Sequence, residues 1–201
     1  MRLLRFLAFA LAVALAACGT KAKIERLAPD AVVLAFGDSL TFGSGAGPAE
    51  SYPAVLARHT GLKVVNAGVP GEVSAEGLAR LPGVLEEVQP ALLILCHGGN
   101  DFLRKMDEAA AAANIRQMIG LARSKGIPVV LLATPKPGFP PAVPKFYAEI
   151  ASELKVPLED EALMSVVFDN SLKSDMVHPN AKGYAKVAGA VEKVLRKSGA
   201  I

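Results

Sequence analysis

Tryptophan is absent from the 201 residues, and all aromatics together make up only 5%. Little is therefore left for stacking on nucleic-acid bases. An excess of one charge is missing as well. The 22 basic and 19 acidic residues leave +3, and two of the basic residues, Arg2 and Arg5, sit at the extreme N-terminus. Nothing in the charge points to a nucleic-acid partner. Cysteine is scarce: Cys18 and Cys96 build neither a disulfide framework nor, unaided, a zinc site. The three histidines, His59, His97 and His178, are scattered with none at ligand spacing, so no metal is expected. What is abundant is apolar surface. Hydrophobic residues make up 52% and charged residues 20%. That supplies a sizeable core, excludes wholesale disorder, and suits one ordinary domain without a separate substrate lobe.

The N-terminus has the layout of a targeting segment. Two positive charges precede Phe6–Leu15, an uncharged apolar run of ten residues. That length suits a secretory signal and falls short of the roughly 20 residues that span a bilayer. The run ends in Leu15-Ala16-Ala17-Cys18, which resembles a bacterial lipoprotein signal. The resemblance implies cleavage before Cys18 and acylation of that residue; the alternative is an ordinary secretory signal cut after Ala17. Several acyl chains on one residue anchor stably where one does so only marginally. Gly19 follows the cysteine and no aspartate does, which by the same resemblance favours the periplasmic face of an outer membrane in a diderm cell. The expected organisation is a signal over 1–17, a lipidated cysteine and polar tether over 18–29, and one folded domain over 30–201.

Beyond the tether, strand and helix patterns alternate. Ala31–Phe36 is a continuous apolar run rich in β-branched residues, as a strand buried on both faces requires. Similar runs fall at Lys63–Ala67, Ala91–Cys96 and Pro128–Ala133, with a weaker one at Val156–Leu158. Helical patterns cover Tyr52–Thr60, Ser74–Val88 (one helix or two, interrupted at Pro82-Gly83), Asp107–Lys125, Pro144–Leu154 and a C-terminal segment from Asn180. This order predicts an α/β fold with a five-stranded parallel, doubly wound sheet and right-handed crossovers. Thr134–Pro144, with five prolines, reads as a stiff loop after strand four, at the sheet edge where ligands bind.

Chemistry-bearing residues gather after those strands. Gly37-Asp38-Ser39-Leu40 follows strand one, and a serine on a strand-to-helix turn suits a nucleophile whose own N–H faces an oxyanion. Asp175-Met176-Val177-His178 spaces a carboxylate and an imidazole so that one ring nitrogen meets the acid and the other points outward as a base. Asn66-Ala67-Gly68-Val69-Pro70-Gly71-Glu72 and Gly98-Gly99-Asn100-Asp101 follow strands two and three. A glycine permits close backbone approach, and an asparagine amide is a donor that never ionises.

This order of Gly-Asp-Ser, Gly, Gly-Asn-Asp and Asp-x-x-His resembles the SGNH (GDSL) hydrolase superfamily, over residues 31 to about 197. Within it, the bacterial thioesterase I/lysophospholipase and arylesterase-like branch shares Val65-Asn66-Ala67, Gly71-Glu72, Gly77-Leu78-Ala79-Arg80-Leu81 and Asp175–Asn180. The resemblance implies a three-layer, flavodoxin-like sheet and a serine esterase, thioesterase or lysophospholipase that needs no cofactor. It assigns Ser39 as nucleophile, His178 as base and Asp175 as its orienter. It places the oxyanion hole at the Ser39 and Gly71 N–H groups and the Asn100 side chain. Gly68, His97 before the Gly-Gly pair, and the lipoprotein anchor depart from the family pattern.

Small acyl esters, thioesters or lysophospholipids are the expected substrates. Phe102, Leu103, Met106, Phe139, Phe146 and Tyr147 stand near the sheet edge in sequence and are expected to line an acyl-chain groove. Carbohydrate or peptidoglycan O-deacetylation by the same residues is the alternative, and a non-catalytic lipoprotein module a third. Gly43-Ser44-Gly45-Ala46-Gly47 begins too late after the strand for a dinucleotide fingerprint. Cys96 lacks a His–acid partner at motif spacing, and Asp38 and Asp101 are expected to brace their loops.

Overall fold

The computed structural model describes residues 22–201; the signal segment and Cys18 lie outside them. Five parallel strands, β1 (Val32–Gly37), β2 (Lys63–Gly68), β3 (Leu92–Cys96), β4 (Val129–Leu132) and β5 (Leu158–Glu159), form one sheet in the order β2-β1-β3-β4-β5. The helices are α1 (Ser39–Phe42), α2 (Tyr52–Thr60), α3 (Ser74–Val88), α4 (Gly99–Leu103), α5 (Glu108–Ser124), α6 (Phe146–Leu154), α7 (Ala162–Phe168) and α8 (Ala181–Ser198).

Alternation along β1 divides the interior in two. Val33 and Ala35 enter one core with Tyr52, Leu56, Tyr184, Val187 and Val191 from α2 and α8. Leu34 and Phe36 enter the other with Leu81, Ile115, Met118 and Ile150 from α3, α5 and α6. Because both faces are covered, the central strands have no polar face, and the sequence there reads as an unbroken apolar run.

The short helices α1 and α4 stand where turns or loops were expected, and α3 and α7 differ further. Helix α3 runs straight through Pro82. An internal proline costs about 3 kcal/mol, yet Leu81 and Leu85, on either side of it, are buried in the second core and hold the helix together. The seven-residue α7, which buries Leu163 and Val166, was not expected at all. At the N-terminus, the segment assigned to a tether joins the domain. Ile24 N–H donates to Ser198 C=O at 2.9 Å and Leu27 N–H to Ala200 C=O at 2.8 Å, while Ile24 is buried against the first core.

Parallel strands put all their C-terminal ends on one edge, and short turns there bring distant sequence segments together. Close approach is built into the glycines at this edge. A Cβ on Gly37 would lie 2.2 Å from the Cys96 carbonyl oxygen, and one on Gly68 would lie 2.1 Å from Phe42 N.

Candidate active site

Ser39 is the first residue of α1. Asp38, just before it, accepts the Leu40 N–H at 3.0 Å through Oδ1 and so caps the turn that presents the serine. From the other end of the chain, the loop before α8 brings His178 Nε2 to 3.0 Å from Ser39 Oγ. His178 Nδ1 is 2.7 Å from Asp175 Oδ2. The second Asp175 oxygen accepts the Val177 and His178 backbone N–H groups, both at 2.8 Å. Burial alone would raise this carboxyl. The His178 ring and the two backbone donors outweigh it and hold the group at about 2. Asn180 closes the loop: its Oδ1 caps α8 through Lys182 and Gly183, and its Nδ2 donates to the Ser171 and Lys173 carbonyls. An imidazole fixed in this way, Nδ1–H toward a carboxylate, keeps a lone pair on Nε2 to take the serine proton.

Ser39, Gly71, Asn100 and His178 line one cleft of about 310 Å³. Gly71 has φ +81°, a left-handed turn that a Cβ would strain. The Asn100 amide donates to Glu72 C=O at 3.0 Å and to Asp38 Oδ2 at 3.2 Å. Its Nδ2 thus has two protein acceptors, a detail the residue spacing does not show. Asp38 is buried, and that burial raises its carboxyl. Asp101 braces the next loop, accepting Ser74 N–H at 2.8 Å and Ser74 Oγ–H at 2.6 Å. Cys96 is buried, and burial pushes its thiol up, away from any nucleophilic role.

The six expected acyl-groove residues separate. Leu103 lines the cleft, and it shares a neighbouring hollow with Met106 and Phe102. Phe102, Phe146 and Tyr147 do not line the cleft. They belong to the second core, with Phe102 on Phe146 at 6.2 Å and Phe146 stacked on Tyr147 at 4.3 Å between ring centroids. The Tyr147 hydroxyl donates to His97 C=O at 2.6 Å and pairs with Thr134 Oγ1, also at 2.6 Å, so this tyrosine fastens the sheet edge from below. Phe139 is fully exposed and stands outside the cleft. The apolar walls come instead from Leu40, Pro70, Pro135, Pro141, Val167 and Met176. Val167 lies on α7, and the sequence signal for that helix was the spacing of Ala162, Leu163 and Val166, buried on one side.

The GDSL-like Lipase/Acylhydrolase family profile matches residues 35–186. The chain is 32% identical over 179 residues to "Esterase TesA" of Pseudomonas aeruginosa, covering 84% of this chain and 89% of that protein. It is 29% identical over 179 residues to "Thioesterase 1/protease 1/lysophospholipase L1" of Escherichia coli strain K12, covering 85% and 86%. A crystal structure of TesA superposes with a TM-score of 0.76 at 30% identity, covering 83% of this chain and 99% of the other. With the serine, histidine and aspartate joined at one sheet edge and the match spanning most of the described residues, the chain belongs to the GDSL-like lipase/acylhydrolase family.

Proposed function

We propose that the protein is a serine acyl-ester hydrolase that works through an acyl-enzyme on Ser39. The observation that carries this is the hydrogen-bonded chain Asp175–His178–Ser39 opening into an apolar cleft. Ser39 Oγ attacks the ester or thioester carbonyl carbon as its proton passes to His178 Nε2. The carbon–oxygen π pair moves onto the carbonyl oxygen, and the tetrahedral oxyanion meets the Ser39 and Gly71 N–H groups and the Asn100 amide. Asn100 keeps its 3.0 Å bond to Glu72 C=O, and the oxyanion competes for the hydrogen held loosely by Asp38 at 3.2 Å. Collapse of the intermediate expels the alcohol or thiol, which takes the proton from His178. Water then repeats the sequence on the acyl-enzyme.

The relatives named esterase and thioesterase/lysophospholipase support acyl esters, thioesters and lysophospholipids as the substrate range. The aliphatic and proline walls support an acyl chain over a polar acid portion, since each buried methylene contributes about 0.8 kcal/mol. The Leu15-Ala16-Ala17-Cys18 segment supports export and lipid anchoring through Cys18. Ser39→Ala is expected to abolish p-nitrophenyl ester hydrolysis and fluorophosphonate labelling with the melting temperature unchanged. Residual turnover in a clean preparation would remove Ser39 as the nucleophile. For the wild type, kcat/KM is expected to rise from acetyl to medium-chain p-nitrophenyl esters; a sharp peak at acetyl would favour O-deacetylation.

A further inference from the structure

Beside the cleft lies an ionic cluster with no direct part in that mechanism, its Glu72 and His97 buried and its Arg80 half-buried. Arg80 donates to Glu72 through two bonds, Nε to Oε1 and Nη2 to Oε2, each 2.7 Å. His97 Nε2 is 3.1 Å from the same Oε2. The Arg80 guanidinium also covers the Phe36 ring at 4.1 Å and donates to Ala67 C=O. Burial would raise the Glu72 carboxyl, but its bonds from Arg80 and His97 prevail and hold it down at about 2. A carboxylate oxygen only accepts, so the contact is made with Nε2–H of His97 donating to Glu72.

For packing alone, histidine is a poor choice at this position. His97 is fully buried, and its Nδ1 has no hydrogen-bond partner among the described residues. An unpaired buried polar atom is a net cost to the fold, which leucine at the same place would avoid. The fold also makes room for the ring: a Cβ on Gly77 of α3 would lie 2.4 Å from His97 Nε2. What the imidazole supplies is the bond to Glu72. That bond joins two loops, each bearing part of the oxyanion hole. Glu72 follows Gly71 and its carbonyl holds the Asn100 amide, while His97 opens the Gly98-Gly99-Asn100 turn and is fastened below by Tyr147.

We propose that His97, Glu72 and Arg80 are positioning residues for the oxyanion hole, fixing the Gly71 N–H and the Asn100 amide relative to each other. This rests on the acyl-enzyme chemistry assigned above to Ser39. Misplacing a catalytic donor by about 1 Å costs up to about a hundredfold in rate. His97→Leu, which keeps the volume and deletes the donor, is therefore expected to lower kcat by about tenfold to a hundredfold with KM within about twofold. His97→Gln places an amide N–H near the position of Nε2 and restores most of the loss. Gly77→Ala is the second route to the same end. It adds a good helix former and thrusts a methyl against the ring from outside the cleft, so it reproduces the kcat defect in a folded protein.

The test is steady-state kinetics on p-nitrophenyl butyrate, normalised to fluorophosphonate-titrated sites, for these variants singly and in an Asn100→Ala background. Once Asn100 is gone its placement no longer matters, so His97→Leu should then cost far less than it does alone. Wild-type kcat per titrated site in His97→Leu and Gly77→Ala, with only a lower melting temperature, would overturn the positioning role. So would a loss that multiplies in full with Asn100→Ala. Ser39→Ala run alongside separates the two levels: turnover in that variant removes the serine mechanism, whereas an inactive Ser39→Ala beside a fully active His97→Leu removes only the positioning role.

Discussion

Replacing Asp175 by asparagine changes one proton and almost no shape. The asparagine carbonyl still accepts the Val177 and His178 N–H groups that Asp175 Oδ1 accepts at 2.8 Å, so the loop keeps its form. The amide NH₂ now faces His178 Nδ1, which must accept. The ring proton moves to Nε2, where it donates toward Ser39 Oγ instead of receiving from it. At a buried serine-protease aspartate this wrong tautomer lowers kcat by about 10⁴. Here the Asp175 side chain is 53% exposed, and water screens its attraction for the imidazolium that forms during the reaction. The tautomer penalty persists while the electrostatic part shrinks. A kcat loss of about 10²- to 10³-fold is expected, about 3 to 4 kcal/mol of barrier. KM should hold steady because Asp175 does not line the cleft. Saturation kinetics on p-nitrophenyl butyrate reads both numbers. A loss below tenfold, or a larger one from Asp38→Asn, would refute the assignment of Asp175 as orienter.

Gly37→Ala forces a methyl onto the Cys96 carbonyl and Thr41 Oγ1; backbone cannot give way cheaply, so a loss of about 3 kcal/mol or more is expected as a lower urea midpoint. The Glu72 carboxyl sits at about 2 in the fold against 4.5 ordinarily, so its contribution is complete above that ordinary value and is lost as pH falls toward 2. Melting temperature should accordingly drop across that acid range, and less steeply in Glu72→Gln; equal slopes would count against the cluster. Leu103→Asp puts a charge on the cleft wall and should flatten the gain from acetyl to medium-chain esters, measured as kcat/KM. Cys18→Ser should move the exported protein from the membrane to the soluble fraction or leave a precursor, and unchanged partitioning would remove the anchor.

Much of the scaffold was legible because buried parallel strands leave an unmistakable trace. Val32–Phe36 has no polar residue, since both its faces meet a core, and Gly126 and Gly61 mark helix ends by their left-handed turns. The serine, histidine and aspartate were legible as types at a spacing, and the sheet edge explains why they meet. Less visible was the direction a side chain takes once its element has docked. Phe102 and Leu103 are neighbours, yet on α4 one turns into the second core and the other into the cleft. Tyr147 reads as a groove aromatic, but its hydroxyl finds two partners beneath the sheet edge and its ring is fully buried. Pro82 reads as a helix break because local cost is visible in sequence, and the burial of Leu81 and Leu85 that offsets it is not.

The pairing of Ile24 and Leu27 with the residues just after α8 also fixes a direction in space. Helix α8 starts beside His178 and runs 18 residues away from it, about 27 Å at 1.5 Å per residue, before reaching the point where the N-terminal segment docks. From Cys18 to Lys23 an extended chain spans at most about 20 Å. A support coupled through that end is therefore attached at the far end of α8 from His178, so immobilisation there leaves the residues of the cleft mouth free of the coupling point.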